Sequence, residues 1–103
     1  MSPRVVRFDW DEANLAHIAR HNVVWSEVQQ AILDPWSLLE SSEVRQGALR
    51  YNVTGETVEG RILTVIFEIR RYAIRTVTAY TAPRQKQAAY WRRRNDGNQT
   101  PLS

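Results

Sequence analysis

Thirteen of the fourteen basic residues in this chain of 103 are arginines, and Lys86 is the only lysine. An arginine side chain offers a planar, permanently charged fork that grips a phosphate or carboxylate through two parallel hydrogen bonds, which lysine cannot do. The charge is unevenly placed. Residues 1–60 hold five arginines against nine carboxylates (−4), whereas residues 61–103 hold nine basic residues against Glu68 and Asp96 (+7), giving the net +3. A basic, arginine-biased half points to a polyanion or an acidic protein partner, with a solvated charged surface as the plainer reading. His17 and His21 stand four apart, the spacing two metal ligands would use on one helix. With no cysteine in the chain, an Asp or Glu would have to complete such a set, and no metal is expected. His21 can act as a base, or it can simply favour a helix C-terminus through its charge. Tyr80 and Tyr90 offer hydroxyl groups. Arg92-Arg93-Arg94, behind Trp91, reads as a nucleic-acid contact or as a solvated helix end.

The elements that must position these residues carry their own punctuation. Residues 4–8 read as a short first strand. Asp9 with Glu12 makes a capping-box pair, opening a helix from Trp10 to His21 that buries Leu15 and Ile18. Ser26 with Gln29 repeats the signature for a second helix over Glu27–Leu33, which Asp34-Pro35 ends, because the residue before proline is pushed out of helical space. Residues 36–47 give no clear signal. Leu49, Tyr51 and Val53 alternate with Arg50, Asn52 and Thr54, predicting a strand with one apolar face, and Gly55 and Gly60 bracket a hairpin turn. Ile62–Ile69 reads as the central strand. Tyr72–Tyr80, rich in β-branched and aromatic residues, reads as the next, joined by a tight turn near Arg70-Arg71. Pro83 suits the start of a last helix running to Arg94, leaving Asn95–Ser103 as a polar tail expected to be disordered. The predicted fold is α+β in the order β-α-α-β-β-β-α, a small antiparallel sheet packed by helices, with residues 1–94 as one domain.

These placements restrict the candidates. Arg50 lies on the polar face of its strand. Arg75 and Tyr80 are five apart and point to opposite faces of an unbroken strand, so one site can use both only if a bulge intervenes or the strand ends first. Arg84 sits near a helix N-terminus, where anions are favoured. Lys86 is either a ligand group or a solvated helix residue. Of the four tryptophans, Trp10 and Trp25 flank helix starts, where core packing is expected. Trp36 and Trp91 stay open between core and partner anchor.

Composition excludes several classes. The hydrophobic fraction of 43% and charged fraction of 24% are those of a globular domain. No apolar run approaches the ~18 residues of a membrane span, and Met1–Asp9 has no signal-peptide pattern. The absence of cysteine suits a reducing compartment, so a cytoplasmic location is expected.

Six segments in order resemble one family. Phe8-Asp9-Trp10-Asp11-Glu12, Arg20-His21-Asn22-Val23 and Asp34-Pro35 resemble the opening of the BrnT toxins. Arg50-Tyr51 with Gly55, Gly60-Arg61-Ile62-Leu63 and Ile74-Arg75-Thr76-Val77-Thr78-Ala79 resemble its later strands. The resemblance spans residues 8–90 and implies a RelE-like fold and a bacterial RNA-cutting toxin. It also implies neutralisation by a BrnA-type antitoxin, with operator DNA bound only through that antitoxin and assembly as a dimer or a heterotetramer with it. No cofactor is implied. The chain departs from the family pattern at Tyr80 (usually Arg), Lys86 (usually Glu), Asn22 (usually Gly) and His17 (usually Asn).

Metal-free RNA cleavage needs a base for the ribose 2′-hydroxyl, cations for the charge on the pentacoordinate phosphorus, and an acid for the leaving oxygen. For these roles the chain offers His21, Arg50, Tyr80 and Arg84 as catalytic candidates, and Arg75, Lys86 and Tyr90 as candidates for RNA or phosphate binding. The competing expectation is a degenerate toxin-like module that only binds an antitoxin or nucleic acid. A bare interaction domain with neither activity is a third.

Overall fold

The computed structural model describes residues 6–99. Eight elements follow one another: β1 Arg7–Phe8, α1 Glu12–Ala19, α2 Trp25–Leu33, β2 Leu38–Arg45, β3 Ala48–Glu56, β4 Ile62–Arg70, β5 Ala73–Thr81 and α3 Arg84–Gln99. The strands form one sheet in the order β1-β5-β4-β3-β2, antiparallel except for the two-residue pairing of β1 with β5. The fold is α+β as expected, with β4 central, but it has one strand more than the predicted order. That strand, β2, occupies most of the segment that gave no signal. It is an edge strand with a bulge at Glu40, so no regular alternation marks it. Residues 4 and 5 of the expected first strand lie outside the described residues, as do 100–103 of the expected tail. Helix α3 continues through Asn95–Gln99.

Local chemistry explains the helix ends, with two corrections. Asp11, not Asp9, caps α1: its carboxylate accepts from the Asn14 N–H, and the Asn14 side chain accepts from the Asp11 N–H. At α2 the helix starts two residues early, and Glu27 returns its carboxylate to the Val24 N–H in place of the Ser26–Gln29 pair. Asn22 takes φ +58 just past α1, and the Val23 N–H reaches back to the Ile18 carbonyl. This is the left-handed helix end that Asn tolerates.

The main core joins Ile18, Val23, Val28 and Ala31 to Val53, Leu63, Val65, Phe67 and Ala79. Leu15, expected inside, is 36% exposed. Trp10 packs on this core and donates its indole N–H to Gln29. Trp25, also expected inside, is 51% exposed because it forms the first residue of α2 rather than a position preceding it. Gly55 does not belong to a turn. It lies within β3 where α2 crosses, and a Cβ there would collide with the Ala31 carbonyl oxygen. Helix α1 packs on β5, α2 on β3 and β4, and α3 on β3. A second cluster of Ile62, Ala82, Tyr90 and Trp36 holds α3 in place. Among the described residues no helix is long and apolar enough to cross a membrane.

Candidate active site

One irregularity in β5 decides which side chains share a face. Ile66 pairs with Thr78 but Phe67 pairs with Thr76, so Val77 is an extra residue. Along the regular partner strand, Thr64 and Glu68 point the same way, and they pair with Tyr80 and Arg75 respectively. The bulge therefore cancels the odd spacing of Arg75 and Tyr80 and brings both to one face. That face is the reverse of the Val53–Val65–Ala79 row in the core.

At one end of this face Arg50, Glu68 and Arg75 lie side by side on β3, β4 and β5. Two strand spacings put the outer pair about 10 Å apart at their backbones. Glu68 is only 3% exposed and holds two guanidiniums. Arg50 donates to it through Nε at 2.8 Å, and Arg70 through Nε at 2.9 Å and Nη2 at 2.8 Å. The Arg50 hydrogen bond, reinforced by the charge of Arg70, keeps the Glu68 carboxyl below its ordinary range despite its burial. The two Nη groups of Arg50 make no hydrogen bond to a described residue. Arg75 is committed instead: it meets Asp11 at 2.7 Å and Asp9 at 3.4 Å, tying the start of α1 to the sheet. The hydrogen bond to Asp11 holds Arg75 above its usual value, and backbone and Arg75 donors hold Asp11 below its own. A cleft of about 230 Å³ opens here, lined by Arg50, Glu68, Arg70 and Arg75 and by Asn14 and His17 of α1. The buried hydroxyl of Thr76, which also lines it, has no hydrogen-bond partner.

His17 links this cleft to a second group. Its ring lies 6.2 Å from that of His21, which lies 6.0 Å edge-on to the ring of Tyr80. The loop carrying His21 is pinned by Arg61, whose guanidinium donates to the His21 and Asn22 carbonyls, the Glu27 carboxylate and the Thr81 hydroxyl. The remaining expected residues fall elsewhere. Lys86 is held by Glu40 at 3.3 Å and by the Asn52 side chain at 3.2 Å, on the same face of β3 as Arg50. Arg84 is exposed at the first position of α3 and forms no ion pair with a described residue. Tyr90 is fully buried; its hydroxyl donates to Asp34 and accepts from Arg94. Burial, followed by the Asp34 carboxylate, pushes the phenol above its normal range. Tyr90 thus anchors α3 and has no surface with which to meet RNA, which corrects its assignment. The run Arg92-Arg93-Arg94 divides, since Arg94 binds Glu56 and stacks over Trp91, while Arg92 and Arg93 are exposed.

Three positions of this arrangement carry no catalytic or binding assignment from the sequence. Glu68 lies inside the strand read as central, and an acid within a buried strand is itself a signal of cationic neighbours. His17 was weighed only as a metal ligand, and Arg61 only as part of a motif.

The profile of a family described as ribonuclease toxin, BrnT, of type II toxin–antitoxin systems matches residues 10–86. The chain belongs to the BrnT family. The match covers both arginine groups, both histidines and the bulged strand, and ends at Lys86. Membership makes RNA the substrate and an antitoxin protein the partner. Among curated proteins none matches the chain.

Proposed function

We propose that this BrnT protein cuts RNA without a metal, by attack of a ribose 2′-hydroxyl on the adjacent phosphorus, in the cleft between α1 and the Arg50–Glu68–Arg75 row. The observation that carries this reading is the state of Arg50. Its Nε is fixed by a buried carboxylate, its two amino groups make no hydrogen bond to a described residue, and it lines a cleft that His17 also lines. A guanidinium held in this way is ready for the charge that builds on phosphorus and needs no rearrangement during the reaction. His17 stands in the same cleft and takes the 2′ proton as the bond from O2′ to phosphorus forms. His21, one helical turn on, returns a proton to the 5′ oxygen as its bond to phosphorus breaks, with Tyr80 beside it. The products are a 2′,3′-cyclic phosphate and a free 5′-hydroxyl. Because the substrate supplies the nucleophile and arginine the cation, no step requires a metal.

Glu68 is a positioning residue that aims Arg50, while Arg84 and Lys86 bind the flanking RNA from α3. We take the arrangement to be RelE-like, with a BrnA-type antitoxin covering this face. The test is purified protein with a single-stranded RNA in chelator, compared with Arg50→Ala, His17→Ala and His21→Ala. Each histidine variant should lose about 10²- to 10⁴-fold, and an RNA carrying deoxyribose at the cut site should stay whole. Intact RNA in the wild-type reaction, with binding retained, would leave a binding module in place of an enzyme.

A further inference from the structure

A second concave site lies next to the cleft, at the end of the sheet where β1 meets the β4–β5 hairpin. It is a pocket of about 550 Å³ lined by Arg7, Arg70, Arg71 and Arg75, with Asp9 as its one carboxylate. Arg70 and Arg75 line both the pocket and the cleft, so the two adjoin. Arg75 is engaged by Asp9 and Asp11, and Arg70 by Glu68. Arg7 and Arg71 form no ion pair with any described residue, which leaves two unmatched guanidiniums in one depression. The hairpin tip beside them is unusual. Arg71 and Tyr72 take φ +50 and +67, the pair of left-handed conformations of a tight turn that normally selects Asn-Gly. An aromatic residue at that position is unfavourable, and this one is also 93% exposed, with Arg71 and Ala73 of the pocket on either side of it in the chain.

We propose that this hairpin is a second RNA subsite, in which Arg7 and Arg71 hold a backbone phosphate and the Tyr72 ring stacks on an unpaired base. The proposal rests on the RNA-cutting reading and adds to it the direction in which the strand leaves the cleft, past Arg70 and Arg75 toward the hairpin tip. Cationic grooves with stacking aromatics are the general means of holding single strands, since every base has a π-face and every nucleotide a charge. A double helix has no splayed base to offer, so the subsite selects single-stranded RNA.

The test is fluorescence anisotropy of a twelve-nucleotide, fully 2′-O-methylated RNA, which cannot be cut, over a range of salt concentrations. Tyr72→Gly removes the ring and relaxes the left-handed backbone, so the fold is not weakened by the change. It should bind about tenfold more weakly, while Tyr72→Phe binds as the wild type does. The double variant Arg7→Ala/Arg71→Ala should lower the slope of log affinity against log salt by about 0.7, the value for one single-strand phosphate contact. Wild-type binding that is unchanged in all these variants overturns the subsite and leaves the cleft reading standing. Variants that keep RNA affinity but lose affinity for a polyglutamate peptide would make the hairpin an acidic-protein contact instead, which also overturns the proposal. If the wild-type protein binds no RNA at all, the reading of the cleft fails and the subsite fails with it.

Discussion

Arginines at the two ends of the sheet do different work, and the difference lies in how completely each guanidinium is consumed. At the end where α2, β4 and α3 meet, Arg61 spends its amino groups on two carbonyls, a carboxylate and a hydroxyl, and Arg94 binds Glu56 and the Tyr90 hydroxyl. At the other end, one buried carboxylate serves both Arg50 and Arg70, and Arg7 and Arg71 have no carboxylate among the described residues. A satisfied guanidinium is a fastener. One that keeps unused donors next to a depression is available to an anion. Counting arginines along the chain cannot separate these cases, because both ends are rich in them.

The comparison is tested most sharply at Arg50. Arg50→Ala should reduce RNA cleavage by about 10²- to 10³-fold, with little change in the thermal midpoint, because Arg70 still holds Glu68. A parallel loss of stability, measured on the same sample, would class Arg50 with the fasteners. Arg61→Ala should behave in the opposite way. It strands Glu27 and frees the His21 loop, so urea unfolding should show a loss of about 2 kcal/mol, discounted from a fully buried pair because both partners are partly exposed. Cleavage per folded molecule should fall far less than in Arg50→Ala.

Glu68 connects the two behaviours and predicts a pH dependence. Its folded carboxyl titrates below the ordinary 4.5, so the unfolded chain takes up the proton first as the solution is acidified. Its contribution is therefore complete above that value and is lost progressively as the pH falls below it. A thermal-midpoint series from neutral to acid pH should show a steeper acid loss in the wild type than in Glu68→Gln, which itself costs about 1–2 kcal/mol at neutral pH. Curves of equal slope would remove Glu68 as the centre of this end. The smallest expected effect is Tyr90→Phe. It should lower stability by about 1 kcal/mol through the lost hydrogen bond to Asp34 and leave cleavage unchanged. A marked loss of cleavage there would return Tyr90 to the site.

Much of the architecture was legible before any coordinates. Asp34-Pro35 stopped α2, Ile62–Ile69 became the central strand, and Asn22 took the left-handed end of α1, because each depends on the backbone preferences of a few adjacent residues. Where short-range rules competed, neighbours in space decided. Two adjacent acids could cap α1, and Asn14 selected Asp11 by answering its N–H. Edge strand β2 shows no alternation because its bulge shifts the register and, among the described residues, no further strand lies beyond it.

The site was legible in its residue types but not in its grouping. Arginine bias, the spacing of His17 and His21, and membership of Arg50 and Tyr80 in strands are properties of the chain itself, so the sequence by itself determined which chemistry was on offer. Whether Arg75 and Tyr80 share a face depended on one inserted residue, Val77, and hydrogen-bond register exists only once β4 and β5 have paired. The same holds for the guanidiniums. Each carries the same charge wherever it falls in the sequence, but the carboxylates that consume it come from other elements, and only tertiary packing decides which arginine keeps a donor free.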